Sequence, residues 1–160
     1  MKQITDIEAL FDQMNEEMAE LKANYQKRGR EIFKLAFKEF FDANPEANVV
    51  GWHQYTPYFN DGEECIFNCH AEFAFVSNAK DYDNIHWGEY SGDEENVWIS
   101  DGDNGDFNAE LIPESVTKNI KALRRLLSKI DDDVFLGMFD NHVQVFATRE
   151  GFAVREYSHD

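Results

Sequence analysis

A long amphipathic helix at the N-terminus constrains the fold of this chain more than any other pattern. Apolar residues recur at helical spacing from Ile7 onwards, and Asn44-Pro45 ends the pattern. Thr5 and Glu8 have the spacing of a capping box, which predicts a helix start there. The apolar positions of the pattern are Ile7, Leu10, Phe11, Met14, Met18, Leu21, Tyr25, Ile32, Phe33, Ala36, Phe37, Phe40 and Phe41.

A single helix over 6–43 would span roughly 57 Å, which exceeds the width of a domain of this size. Part of the helix must therefore bend, project from the domain or pair with another helix. In one arrangement the helix folds back at Gly29 and packs against its own sheet. In the other it is a protruding helix that forms a homodimer, because a stripe of Met and Leu flanked by charges also suits a helical partner.

The spacing of apolar residues changes from helical to alternating at Val49. Residues 65–76 alternate most clearly and predict one strand, with residues 49–55 as its hairpin partner. Cys65 and Cys69 would lie about 13 Å apart on that strand, which excludes a disulfide between them. We therefore expect two buried, reduced thiols.

A second helix is predicted near 114–130. Pro113 before Glu114 suits a first helical turn, and apolar residues then recur at helical spacing. The run Asp131-Asp132-Asp133 is predicted to end this helix, although the helix dipole disfavours acids at a C-terminus. The acids should therefore be exposed or have partners.

Two further regions predict strands, residues 96–100 and a terminal hairpin over 143–154. The order of elements indicates an α+β fold, with an antiparallel sheet of about five strands and helices on one face. We expect a single domain over 1–160, since this length buries about 70% of the unfolded surface.

The formal charge of −17 is confined to the middle of the chain. Residues 1–38 and 118–160 each balance seven acids against seven bases, whereas residues 39–117 contain 18 acids and one base, Lys80. A mixture of positive and negative charges is enough to keep a protein soluble. This concentration of carboxylates therefore predicts a surface for a basic partner. A solubilising face without a partner is the alternative.

The predicted contact surface lies within residues 81–117, which carry 11 acids and neither Lys nor Arg. Carboxylates along strands and loops could copy the phosphate field of duplex DNA, and exposed aromatic residues would add contact energy. The predicted contact residues are Asp81, Asp83, Trp87, Glu89, Tyr90, Asp93, Glu94, Glu95, Asp101, Asp103 and Asp106.

Signatures of catalysis or metal binding do not stand out in this sequence. The histidines are scattered, and no HExxH, Walker, GxSxG or paired CxxC pattern occurs. A small metal-dependent hydrolase that uses His53, Asp61 and His70 is an open alternative. The oxygen-rich loop 101–106 raises the question of calcium, but its register does not fit an EF-hand. We predict no enzymatic activity, no resident metal and no cofactor.

Residues 52–67 carry the pattern W-x-Q-Y-T-P-Y-F-N-D-G-x-x-C-x-F, and residues 139–151 form a second distinctive stretch. The first resembles a pattern in an uncharacterised family of small acidic proteins of tailed phages and bacteria, and the second resembles the closing hairpin of the same group. The resemblance implies a phage origin but no assigned activity. Phages encode many short acidic proteins that bind and disable host machinery, including DNA mimics and inhibitors of ATP-dependent proteases.

Together these patterns predict a binding protein of the host cytoplasm that blocks a basic surface of a host protein. The expected target is a nucleic-acid-binding defence or transcription protein, and an ATP-dependent protease or other assembly is the alternative. We expect no direct contact with nucleic acid, which the acidic charge repels. Neither a run of about 18 apolar residues nor a signal peptide is present, so no membrane contact is expected.

Overall fold

The computed structural model of the protein describes residues 3–69, 75–77, 96–98 and 109–158. Its elements are α1 (Ile4–Ala43), β1 (Val49–Tyr55), β2 (Asn68–Cys69), β3 (Phe75–Ser77), β4 (Asn96–Trp98), a short 3-10 helix (Ala109–Leu111), α2 (Glu114–Leu127), α3 (Asp132–Phe139), β5 (Val143–Thr148) and β6 (Gly151–Glu156). The strands form one antiparallel sheet in the order β4-β3-β1-β5-β6, and β2 also pairs with β1. This architecture confirms the predicted α+β class.

Helix α1 is continuous through Gly29, so the predicted fold-back at that residue is wrong. Its 40 residues extend for roughly 60 Å. Gly29 allows close packing against α3, since a Cβ there would lie 3.0 Å from Cγ2 of Val134. The helix also begins earlier than predicted: Gln3, not Thr5, is the N-cap, and its N–H donates to the Asp6 carboxylate at 3.2 Å.

Polar groups from two directions fix the end of α1. Asn44, which is 2% exposed, donates from Nδ2 to the carbonyl of Phe40 at 2.7 Å. Arg149, in the turn between β5 and β6, donates to the carbonyls of Phe41 and Asn44 at 3.3 and 3.0 Å. A cation is favourable here because the last helical turn presents unpaired carbonyls. The predicted end at Asn44-Pro45 is confirmed.

An aromatic cluster joins the C-terminal half of α1 to the sheet and to α3. Phe33 is fully buried, and five other rings have centroids within 5.0–5.9 Å of its own. These rings belong to Phe37, Trp52, Phe135, Phe139 and Phe152. The apolar face of α2 joins the same core. The three helices therefore share one core with β1 and β5.

The strand predicted over 65–76 forms two separate pairings. Gly51 of β1 pairs with Phe75, and Gln54 of β1 pairs with Cys69. The two partners are therefore six residues apart in the sequence, whereas their positions on β1 are only three residues apart. The predicted count of about five strands is wrong for this reason. Both cysteines are free thiols, as predicted, but they are half-buried. β1 has its predicted bounds, and the terminal hairpin is confirmed.

A third helix, α3, follows where the sequence predicts only the end of α2. Asp131 is its N-cap, and its Oδ1 accepts a hydrogen bond from the N–H of Asp133 at 2.8 Å. The acidic run therefore occupies a helix N-terminus, where the dipole favours negative charge. Desolvation, followed by the charges of Asp131 and Asp133, raises the pKa of Asp132 above its usual value.

Candidate interaction surface

All eleven acidic and aromatic residues predicted to contact a partner, between positions 81 and 106, lie outside the described residues. The structure describes the strands that flank them. β3 and β4 pair with each other, with Ser77 opposite Asn96, and β4 ends the strand order. Segment 78–95 joins these two strands and segment 99–108 follows β4. Both acidic segments therefore adjoin the edge strand β4, one at each end of that strand.

Two acids of the middle region are paired with bases one helical turn away. Lys38 Nζ lies 2.6 Å from the Asp42 carboxylate, and Lys118 Nζ lies 3.5 Å from that of Glu114. The hydrogen bond that Lys38 donates to the Asp42 carboxylate, and then the charge of that carboxylate, raises the pKa of Lys38. Both pairs are exposed, so each contributes little to folding stability. They do, however, partly neutralise two of the 18 acids.

Beside the row of α1 that packs into the core, the helix exposes a second long row of apolar side chains, which we call the apolar stripe. Its nine members are between 44% and 81% exposed: Ile4, Ile7, Phe11, Met14, Met18, Leu21, Tyr25, Ile32 and Leu35. Phe33 and Phe37 on the same helix are 0% and 3% exposed, because they face the core. Scattered apolar residues at a surface are ordinary, but a contiguous apolar patch marks an interaction site.

A groove of 440 Å³ lies where the stripe passes the end of α2. Its lining consists of Leu21, Asn24, Tyr25, Arg28, Gly29 and Ile32 from α1, and of Leu126, Lys129 and Ile130 from the end of α2 and beyond. Leu126 is 39% exposed, so the apolar surface continues from α1 onto α2. Arg28 and Lys129 give the groove two positive charges. Helical periodicity could not reveal this groove, because it depends on how two helices pack.

The two stretches that carry the family resemblance meet in the structure. Gln54, which is fully buried, donates from Nε2 to the carbonyls of Phe135 and Asp140 at 3.0 and 2.7 Å. Its Oε1 accepts from Trp52 Nε1 at 3.0 Å. The Nε2 of Gln54 thus joins β1 to α3 and to the residue that follows α3, while its Oε1 bonds within β1. These residues of the pattern hold the fold together.

The contact between the two stretches continues at Thr56 and Asn141. Asn141 Oδ1 accepts from the backbone N–H of Thr56 at 2.9 Å, and its Nδ2 donates to Thr56 Oγ1 at 2.9 Å. The rings of Tyr58 and His142 stack with centroids 5.0 Å apart. Asp140 and His142 have φ values of 79° and 56°, which side-chain-bearing residues rarely adopt. The contacts with Thr56 and Tyr58 therefore support a turn that the local sequence alone disfavours.

The residues of the hydrolase alternative do not form a site among the described residues. The ring of His53 stacks on Tyr157 at 4.1 Å, and its Nε2 lies 3.4 Å from Nε2 of Gln144. Asp61 is exposed in the turn after β1, and His70 lies outside the described residues. Within the described ranges, no group of three or more His, Cys, Asp or Glu residues could hold a metal ion. Loop 101–106 also lies outside them.

Comparison with known proteins gives no family for this chain. No protein-family model, no curated protein and no solved structure matches it. In the described part of the chain, none of the helices has the length and apolar character needed to cross a membrane.

Proposed function

We propose that the protein is a non-enzymatic acidic binding protein, which occupies a basic surface of another protein and blocks it. The observation that carries this proposal is the distribution of charge: 18 acids and one base in residues 39–117, between two neutral ends. Self-repulsion among so many carboxylates destabilises a compact chain, which is tolerated where binding of a cationic partner is the useful property. Segments 78–95 and 99–108 flank β4 in the chain, and β4 ends the strand order, which supports a contact surface on this side of the sheet.

A nucleic-acid-binding protein is the partner that this charge favours. Such a protein presents a basic surface that normally meets phosphates, and closely spaced carboxylates compete for it. If the family resemblance holds, the chain comes from a phage and the partner is a host defence or transcription protein. An ATP-dependent protease, recognised by shape as well as by charge, is the alternative.

Capture from a bacterial lysate at increasing salt tests this proposal. Immobilised wild-type protein should retain basic, nucleic-acid-binding proteins, and both salt and added duplex DNA should release them. The variant Asp93→Lys/Glu94→Lys/Glu95→Lys should lose these proteins. The matched control, Glu46→Lys/Glu63→Lys/Glu64→Lys, changes the charge equally at exposed positions outside the contact surface and should retain them.

Equal recovery by the wild type and the Asp93/Glu94/Glu95 variant would show that the acidic segment is not the contact. Capture of an ATPase that resists both salt and DNA would instead favour the alternative target. Mass spectrometry of the eluted proteins distinguishes these results.

A further inference from the structure

The apolar stripe of α1 has the spacing of a coiled-coil helix. From Ile4 to Leu35 its positions alternate steps of three and four residues, and Arg28 occupies the single polar position in the series. This 3-4 spacing, sustained over about four heptads, is the signature of a helix that packs along another helix. All nine apolar members are exposed, so no described part of the same chain covers them.

The charges of α1 indicate which helix fits. Residues 3–21 carry six acids and no base, whereas residues 22–38 carry six bases and one acid. The helix dipole does not account for this division, because its effect is confined to the first and last turns. Two antiparallel copies of α1 would place each acidic half beside a basic half. Two parallel copies would place like charges side by side.

Arg28 also distinguishes the two orientations. In the antiparallel overlap that covers the whole stripe, Ile4 lies opposite Leu35 of the second copy, and Met18 lies opposite Leu21. Arg28 then meets Phe11, and a guanidinium over an aromatic ring is a favourable contact. In a parallel pair Arg28 would face Arg28 of the second copy, which leaves two buried like charges unpaired.

The groove beside the stripe suits the N-terminal turns of a second copy. In the antiparallel overlap, residues 7–14 of that copy lie opposite residues 25–32, along the groove. Leu10, which is 51% exposed and adjoins the stripe, is available to the apolar wall that contains Leu126. The acids of these turns approach the positive charges of the groove.

The area is also sufficient for a stable pair. Nine half-exposed side chains, at roughly 80 Å² each, offer about 700 Å² per copy, close to the 800 Å² per partner of a standard interface. We infer that the protein forms an antiparallel homodimer through α1, with the N-terminal turns of each copy in the groove between α1 and α2 of the other. This inference does not depend on the proposed function.

Sedimentation equilibrium of the full chain tests the dimer. The wild type should have the mass of two chains at micromolar concentration, and Met18→Asp/Leu21→Asp should have the mass of one. Circular dichroism checks that the variant keeps its helix. The matched control, Ala19→Asp/Ala23→Asp, places the same charges on exposed positions away from the stripe and should remain dimeric. A wild type with the mass of one chain overturns the inference and assigns the stripe to a different partner.

Disulfide trapping tests the orientation. An equimolar mixture of Ile4→Cys and Leu35→Cys chains should form the mixed dimer under mild oxidation, and Ile4→Cys alone should not cross-link to itself. The wild type, oxidised in parallel, reports any cross-link through Cys65 or Cys69. Rapid self-cross-linking of Ile4→Cys would mean a parallel pair and would overturn the antiparallel assignment.

Discussion

At the scale of single residues, buried polar side chains connect parts of the chain that are distant in sequence. Gln54 links β1 to carbonyls more than 80 positions away, those of Phe135 and Asp140. Alternation along β1 predicts that Trp52 and Gln54 share a face. It cannot predict their partners, because hydrogen bonds between distant segments leave no periodic signal in the sequence.

The variant Gln54→Leu tests this connection. It nearly keeps the side-chain volume but removes the hydrogen-bond partner of the buried Phe135 carbonyl, of the Asp140 carbonyl and of the buried indole N–H of Trp52. We expect a loss of about 3 kcal/mol in the free energy of unfolding, since each unsatisfied buried group costs roughly 1–3 kcal/mol and relaxation recovers part. Urea denaturation measures the loss.

The same substitution at an exposed position serves as the control. Gln13→Leu lies on the solvent face of α1 and should change the unfolding free energy by less than about 0.5 kcal/mol. Equal effects at the two positions would show that the hydrogen bonds of Gln54 do not matter to stability.

At the scale of elements, α1 is one helix with two environments. Phe33 lies in the aromatic core, whereas Phe11 on the apolar stripe is 58% exposed. Phe33 and Phe11 each belong to a row of apolar residues with helical spacing. The sequence therefore predicts the helix, but it does not predict which of the two rows is buried by the rest of the domain. Coverage depends on how α2 and α3 pack against α1.

Alanine substitution at these two phenylalanines measures the difference. In chains made monomeric by Met18→Asp/Leu21→Asp, Phe33→Ala should lower the free energy of unfolding by about 3–5 kcal/mol, because a large buried ring leaves a cavity. Phe11→Ala should lower it by less than about 0.5 kcal/mol. A comparable loss at Phe11, seen by thermal or urea unfolding, would mean that the domain itself covers the stripe.

Elements that have an unambiguous local sequence pattern could be predicted from the sequence, and the other elements could not. β1 and the β5–β6 hairpin follow from alternation and a turn, and α1 follows from uninterrupted periodicity. α3 was missed because the run Asp131-Asp132-Asp133 is ambiguous: acids can follow one helix or cap the next, and the N-cap contact decides. β2 and β3 pair with β1 in different registers, and the regular alternation of residues 65–76 gives no sign of this change.

At the scale of the whole molecule, charge is unevenly distributed in two places, the middle of the chain and α1. The acids of residues 39–117 set the net charge of −17, and α1 separately carries an acidic and a basic half whose charges nearly cancel. The sequence therefore predicts an acidic contact surface, which lies outside the described residues, and an amphipathic helix, whose apolar stripe the structure finds exposed. The distribution of charge identifies the first feature and helical periodicity the second, but only the packing of α1 shows which of its faces remains available.

Reversing the charges of one half of α1 at a time tests the orientation of the dimer. Asp6→Lys/Glu8→Lys/Asp12→Lys/Glu16→Lys/Glu17→Lys/Glu20→Lys makes both halves of α1 basic and should weaken the antiparallel dimer, most strongly at low salt. Adding Lys22→Glu/Lys27→Glu/Arg30→Glu/Lys34→Glu/Lys38→Glu to the same chain restores opposite halves in exchanged positions, and should restore dimerisation measured by sedimentation equilibrium. A parallel dimer already places like charges together, so the first six changes would leave its affinity nearly unchanged.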